Sequence, residues 1–377
     1  MKPALDRNSV PRLLRFPSMG SNVPKSDENG RGTATVPSSG KGRQPANPDP
    51  SGVAVVMPVH GRLEEAAEAL LGLSRLVPAP AQVVVVVDMA QDAGAVARLP
   101  SGAIVVEVPH ASGPAHARNV GAAATSAEIL LFVDSDVVAM PDTVARVTEA
   151  FARWPGASAV FGSYDLEPGD PGFLSQYRNL MHHFVHQRSR EEAGTFWAGL
   201  GAVRAVGGFD VGYRFPSIED IELGCRMRDD GREIRLVKTL QGRHLKRWTA
   251  WGMLRTDLLR RGIPWMRLIL SRGHVPSDLN LDWASRWSTL MAWCAVLSLP
   301  LGAHAAAWGW AALASGAGFV VLNLPFYRFL ARHRGAWFAL RSVPWHALHF
   351  FQCGLAGMLG LLAHGRDQLR TSRPTPA

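Results

Sequence analysis

Apolar side chains follow two different spacings along residues 53–133. "VAVVMPV" (53–59) and "QVVVVVD" (82–88) are unbroken apolar runs, the pattern of parallel strands covered on both faces. Between them, "RLEEAAEALLGLSRL" places Leu63, Ala66, Ala67, Leu70 and Leu71 at helical spacing. A second helix is predicted over Ala115–Ser126, followed by another apolar strand in "EILLFVD" (128–134). The succession strand, helix, strand, short strand, helix, strand predicts an α/β fold, a doubly wound mixed sheet of Rossmann-like type. Ligands of such sheets bind outside the carboxyl ends of the strands. Asp88, Asp134 and Asp136 all fall at such ends. A buried carboxylate without a partner is costly, so these residues belong where the strands leave the core, facing something cationic.

The last third has another pattern. No Asp, Glu, Lys or Arg lies in the 41 residues between Arg286 and Arg328. As helix that interval would span roughly 60 Å, twice a hydrocarbon core of about 30 Å. Pro300, Gly302 and "GAHAAAWG" supply a turn, which predicts two crossings. Ser342–Gly365 is also uncharged and long enough for a third, against which the positive-inside tendency of Arg366, Arg370 and Arg373 argues. Trp283, Trp287, Trp308, Trp337 and Trp345 stand near the ends of these runs, as interfacial aromatics do. A buried core helix pair is the alternative. From Trp248 to Arg272 arginines alternate with Trp, Leu and Ile, the composition of helices lying on an anionic lipid surface. The chain therefore divides into a disordered tail (1–50), an α/β domain (51–247), amphipathic interfacial helices (248–282), two or three transmembrane helices (283–365) and a short tail (366–377).

Charge sharpens this division. The net +9 is made of +4 in residues 1–50, −7 in 51–240 and +12 in 241–377. A nucleic-acid binder carries its positive footprint on the folded domain; here the domain is acidic and the basic end is rich in Trp, so membrane lipid is the expected partner and nucleic acid is not. Cys225, Cys294 and Cys353 have neither metal-ligand spacing nor a disulfide framework. The first 50 residues contain no apolar core of signal-peptide length. The expected location is the inner (plasma) membrane, multi-pass, with the acidic domain (51–247) on the cytosolic side.

"VAVVMPVHGR", "VVVVVD", "GPAHARNVGAAATSAEILLFVDSDV", "GGFD" and "IEDIELGCRM" occur in an order that resembles family 2 glycosyltransferases of the GT-A fold, over about residues 53–245. The resemblance implies that Asp134 and Asp136 hold Mg²⁺ or Mn²⁺ against the diphosphate of a nucleotide sugar, a UDP-sugar being the first expectation. Hard divalent cations prefer such carboxylate oxygens and bridge phosphates. It also implies donor contacts from Pro58, Val59, Asp88 and Asp134, with Asp88 on the nucleobase, and a metal or diphosphate contact from His244. Arg118 either faces the diphosphate or pairs with a neighbouring carboxylate. Glu219 and Asp220 open a helix, where acidic residues are ordinary dipole partners. With the metal motif upstream the pair resembles the family's general base, Asp220 first. Glu222 and Arg226 read as a structural i, i+4 pair, and His182, His183 and His186 as solvated residues of a linking segment.

"DSDVV" also fits the signature of haloacid dehalogenase-type phosphatases, whose motif usually ends the first strand; here two strands precede it. A dinucleotide-dependent dehydrogenase would need its glycine fingerprint where the chain reads "PVHGRLEE". A membrane-anchored protein that only binds sugar nucleotides is the non-catalytic alternative. The expected function is an inverting, metal-dependent glycosyltransferase acting on a lipid or lipid-linked acceptor.

Overall fold

A computed structural model describes residues 52–61, 63–88, 99–108, 112–192, 196–197, 199–204, 208–273 and 282–371, with the side chains of 367–371 excepted. The tail expected over 1–50 lies outside the described residues. The first half runs β1 (Val53–His60), a 3-10 turn Leu63–Ala66 leading into α1 (Ala67–Leu73), β2 (Gln82–Asp88), β3 (Ile104–Val108), α2 (Gly113–Ala123) and β4 (Ile129–Val133). Strands β3, β2, β1 and β4 lie side by side and parallel; Val56 is opposite Val84 on one side and Phe132 on the other. This is the predicted order of elements. The helix predicted at 115–126 starts and ends slightly earlier, and Leu71, expected on the buried face of α1, is exposed, its place taken by Ala69 and Leu73.

The second half adds β5 (Val137–Ala139), α3 (Thr143–Arg153), β6 (Ala157–Tyr164), α4 (Phe173–Arg188), β7 (Leu200–Arg204), α5 (Glu219–Asp229) and β8 (Glu233–His244). The eight strands form one mixed sheet in the order β3-β2-β1-β4-β7-β6-β8-β5. Strand β7 runs antiparallel to β4 and β6, β6 and β8 are parallel, and β5 is antiparallel to β8.

Alternation along the strands divides the core in two, because successive side chains point to opposite faces. Val55 and Met57 of β1 join Leu70 of α1 and Val144 and Phe151 of α3 on one face. Val56 joins Ala115 and Ala117 of α2 and Leu223 and Met227 of α5 on the other. Helix α2 lies so close to the sheet that a Cβ on Gly121 would come within 2.4 Å of Val56 Cγ1.

After β8 the chain is helical: α6 (Ala250–Arg255), a π-helical segment Thr256–Gly262, α7 (Ile263–Arg272), α8 (Trp283–Leu301), α9 (Ala306–Leu322), α10 (Leu324–Arg334) and α11 (Ala336–Thr371). The Thr249 hydroxyl accepts the Gly252 N–H at the start of α6, and Gly273, at φ +65°, closes α7. A third apolar cluster joins Tyr177, Leu180 and Met181 of α4 to Trp248, Met253, Phe326, Leu330 and Phe350. At its centre Arg178 of α4 binds both carboxylate oxygens of Asp257, at 2.9 and 2.5 Å, and His349 of α11 reaches the same carboxylate at 3.2 Å. Burial alone would raise the Asp257 pKa; the Arg178 charge and the His349 hydrogen bond outweigh it and hold the carboxyl below the usual range.

The helices fall where the uncharged runs lie, and the predicted turn joins α8 to α9. The span assignment differs from expectation. Among the described residues one helix, Ala336–Arg366, is long and apolar enough to cross a membrane; α9 and α10, bent by 61°, qualify only as a joined pair. Polar residues in the first turns of α8, "WASRWST", lower its apolar content, and α9 ends after 17 residues. The outer surface is nonetheless apolar, with Trp283, Leu299, Trp310, Val321, Trp337 and Leu362 all exposed.

Removing one partner of a buried ion pair strands the other. Asp257→Asn is therefore expected to lower unfolding stability by about 3–5 kcal/mol in detergent denaturation, with the double substitution Arg178→Met, Asp257→Leu recovering most of the loss.

Candidate active site

Parallel pairing puts His60 opposite Asp88 at the ends of β1 and β2, and Asp134 follows β4 directly. The Asp88 side chain is 3 % exposed, and its Oδ2 lies 3.3 Å from His60 Nδ1. Its Oδ1 is buried with no hydrogen-bond partner among the described residues; a donor atom from a ligand would satisfy it. Pro58 is partly open, whereas Val59 is 2 % exposed and its side chain packs in the core beneath α1, leaving only backbone to face a ligand. Residues 89–98, including the "MAQ" that follows Asp88, lie outside the described residues.

Arg118, buried in the middle of α2, is the hub of the site. Its Nη2 donates to Asp134 Oδ1 at 2.7 Å and its Nη1 to Glu219 Oε1 at 3.0 Å. The guanidinium also stands 5.2 Å from the centre of the Phe209 ring. Of the two readings of Arg118, the geometry realises the carboxylate pairing. Burial opposes the charge, but Asp134 and Glu219 outweigh it and hold the pKa above its ordinary value. Asp134 is shifted up, by burial first, with Arg118 opposing. Neighbouring Asn119 clamps α2 to the loop that follows β7: its Nδ2 donates to the Phe209 carbonyl and its Oδ1 accepts the Phe209 N–H, each at 2.8 Å. Gly113, at φ +84°, brings the start of α2 so near the same loop that a Cβ there would meet the Arg214 carbonyl at 2.5 Å.

Asp136 lies between β4 and β5. Strand pairing sets Val137 opposite His244, and the Asp136 carbonyl accepts the Leu245 N–H at 2.8 Å. This brings His244 Nε2 to 3.6 Å and Lys246 Nζ to 3.9 Å from Asp136 Oδ2. Burial would raise the Asp136 carboxyl; His244 and then Lys246 reverse this and hold it at about 2. Asp134 and Asp136 each keep about a third of the side chain exposed, at 29 and 39 %. Among the described residues no three His, Cys, Asp or Glu side chains already form a cage for an ion.

The two acidic residues of α5 have different surroundings. Glu219 is buried between Arg118 and the Ser217 N–H, which donates to its Oε2 at 2.8 Å. Asp220 is half-buried and its Oδ1 accepts the Ile221 N–H. Its charge acts on both Arg118 and the Tyr164 hydroxyl. The Glu222–Arg226 pair forms as expected, at 2.6 Å.

The histidines of α4 are not solvated. His183 and His186 are buried, His183 Nδ1 donating to the Tyr164 carbonyl at 2.7 Å and His186 Nδ1 meeting Ser163 Oγ at 3.2 Å. Their spacing turns both toward the end of β6, and burial lowers both pKa values, that of His186 to about 3. Neither their helix nor β6 is predicted from the apolar spacing alone. Tyr164, which ends β6, is a site residue missed in the same way.

The model for glycosyl transferase family 2 matches residues 54–219. Residues 54–219 belong to that family, and the protein is a glycosyltransferase with an α/β fold built on one mixed sheet. Among solved structures, mannosyltransferase PcManGT from Pyrobaculum calidifontis, in complex with GDP-Man and Mn2+, is similar over 84 % of this chain and 91 % of its own, at 19 % identity and TM-score 0.49. Glucosyl-3-phosphoglycerate synthase from Mycobacterium tuberculosis, in complex with phosphoglyceric acid, is similar over 60 % and 81 %, at 20 % identity and TM-score 0.41. No curated protein sequence matches.

Arg118→Met leaves Asp134 and Glu219 without their shared cation. It is expected to cost about 3 kcal/mol in chemical denaturation at pH 7, with Arg118→Lys restoring only part of it.

Proposed function

We propose that this protein is an inverting, metal-dependent glycosyltransferase that moves a sugar from a nucleotide donor to a membrane-associated acceptor. The observation that carries the reading is the placing of Asp88, Asp134 and Asp136 at strand ends, with Arg118 fixing Asp134, His244 and Lys246 facing Asp136, and Asp220 at the start of α5 acting on the same Arg118. The partly exposed carboxylates of Asp134 and Asp136 are hard oxygen donors, which suits Mg²⁺ or Mn²⁺ sharing its shell with substrate phosphates and water. Held there, such an ion neutralises the charge that develops on the departing nucleoside diphosphate.

The protein's own side chains account for the rest. Arg118 keeps Asp134 in place as an anion. The Oδ1 of Asp88, which has no partner among the described residues, suits a hydrogen bond from the nucleobase. Glu219 is buried against Arg118 and Ser217, whereas Asp220 beside it is only half-buried, and this greater access favours Asp220 as the base that accepts the proton of an acceptor hydroxyl. One base acting on one attacking hydroxyl supports direct displacement, with inversion at the anomeric carbon. The apolar belt of α8, α9 and α11, too large for a water-facing surface, supports membrane attachment and a lipid or lipid-linked acceptor. A UDP-sugar is the first donor to try.

Two variants test this. With detergent-solubilised protein and a panel of labelled sugar nucleotides, Asp136→Ala is expected to abolish metal-dependent release of nucleoside diphosphate and to weaken metal-dependent nucleotide binding. Turnover by that variant that persists in EDTA would remove the metal role. Asp220→Asn is expected to lose about 10²–10⁴ in rate while donor affinity stays near wild type. An equal loss of donor binding would move Asp220 to the donor site, and a crippled Glu219→Gln with an active Asp220→Asn would reverse the assignment within the pair.

A further inference from the structure

Tyr164 touches one partner of each carboxylate in the Asp134–Asp136 motif, His244 beside Asp136 and Gly199 beside Asp134. Its ring lies flat on His244, with centroids 4.1 Å apart and planes at 6°. Its hydroxyl lies against Gly199, where an added Cβ would stand 3.2 Å from it, and the Gly199 carbonyl accepts the Asp134 N–H at 3.2 Å. The ring itself is held on three sides. Trp197 meets it edge-on at 4.9 Å and His182 at 5.9 Å. Its backbone is fixed by pairing opposite Gly242 of β8 and by the hydrogen bond from His183 to its carbonyl.

His244 reaches Asp136 at 3.6 Å, a separation at which the orientation of the imidazole decides whether Nε2 faces the carboxylate. Coplanar stacking on Tyr164 fixes that plane. We propose that Tyr164 is a positioning residue for the cation end of the cleft, its ring holding the His244 imidazole toward Asp136. The proposal rests on the metal reading above. It requires the aromatic face, and it acts through His244.

The test measures Mn²⁺ binding to the full-length, detergent-solubilised protein by the electron paramagnetic resonance of free Mn²⁺, with UDP and with GDP, so that no turnover is needed. Outer partners of metal ligands typically contribute about 10–100-fold to affinity, so Tyr164→Leu is expected to weaken Mn²⁺ binding about tenfold or more. Tyr164→Phe keeps the face and is expected to stay within about twofold, and in a His244→Ala background Tyr164→Leu should add less than about twofold, since coupled residues are not additive. Metal-free melting reports on folding; Tyr164→Met replaces the Leu variant if that one melts early. A Phe variant as weak as the Leu variant, or a full Leu effect without His244, overturns the proposal. Wild type that binds Mn²⁺ while Tyr164→Leu binds it equally well overturns this proposal alone. Wild type that binds no Mn²⁺ with either nucleotide overturns the metal reading and this proposal with it.

Discussion

One guanidinium joins the two halves of the catalytic domain. Arg118 comes from the helix that precedes β4, and it binds Asp134, at the end of that strand, and Glu219, which opens α5 a hundred residues further on. Burying Arg118 and Glu219 beside the partly exposed Asp134 is favourable only when each charge is matched by geometry and hydrogen bonds. The position of α2 against the sheet is therefore tied to the position of α5, and Asn119 repeats the tie through the backbone of Phe209. The consequence for chemistry is that the carboxylates on the two sides of the cleft cannot drift apart independently.

The parts of this arrangement that could be read from the sequence are those with short-range causes. Apolar runs that stop on Asp88 and Asp134 mark strand ends because charge cannot continue into the core, and Glu219 and Asp220 mark a helix start because the dipole favours them there. The first four strands and their helices follow from spacing alone. What could not be read is set by partners distant in sequence. Nothing near Arg118 decides between a phosphate and a carboxylate; the presence of Glu219 at 3.0 Å does. Strand β7 enters the sheet between β4 and β6 although "LGAVR" carries little apolar signal. Its neighbour β6, "ASAVFGSY", is similarly weak, so Tyr164 and the histidines that pack under it had no visible context. In the helical third, absence of charge located the helices correctly. Absence of charge is a weaker condition than apolarity, and the Ser, Thr and Trp of α8 show the difference.

The cleft and the helical region share more than a boundary. The Ser217 hydroxyl donates to the Arg260 carbonyl at 2.5 Å, which places the π-helical segment beside the start of α5. A π-helical turn widens a helix locally and recurs at functional sites; here it lets Asp257 face Arg178 while Arg260 lies over Phe215.

The buried set of Arg178, Asp257 and His349 also bears on how such a protein could have been assembled in evolution. A catalytic domain fused to membrane helices by a free linker can be exchanged between anchors with little loss. This one cannot: cutting or swapping the chain after Lys246 would expose Tyr177 and Leu180 and take Asp257 and Trp248 away from Arg178. The domain and the helices that follow it must therefore change together, with the charge on both sides of the joint changing in step, and not by shuffling of a ready-made module.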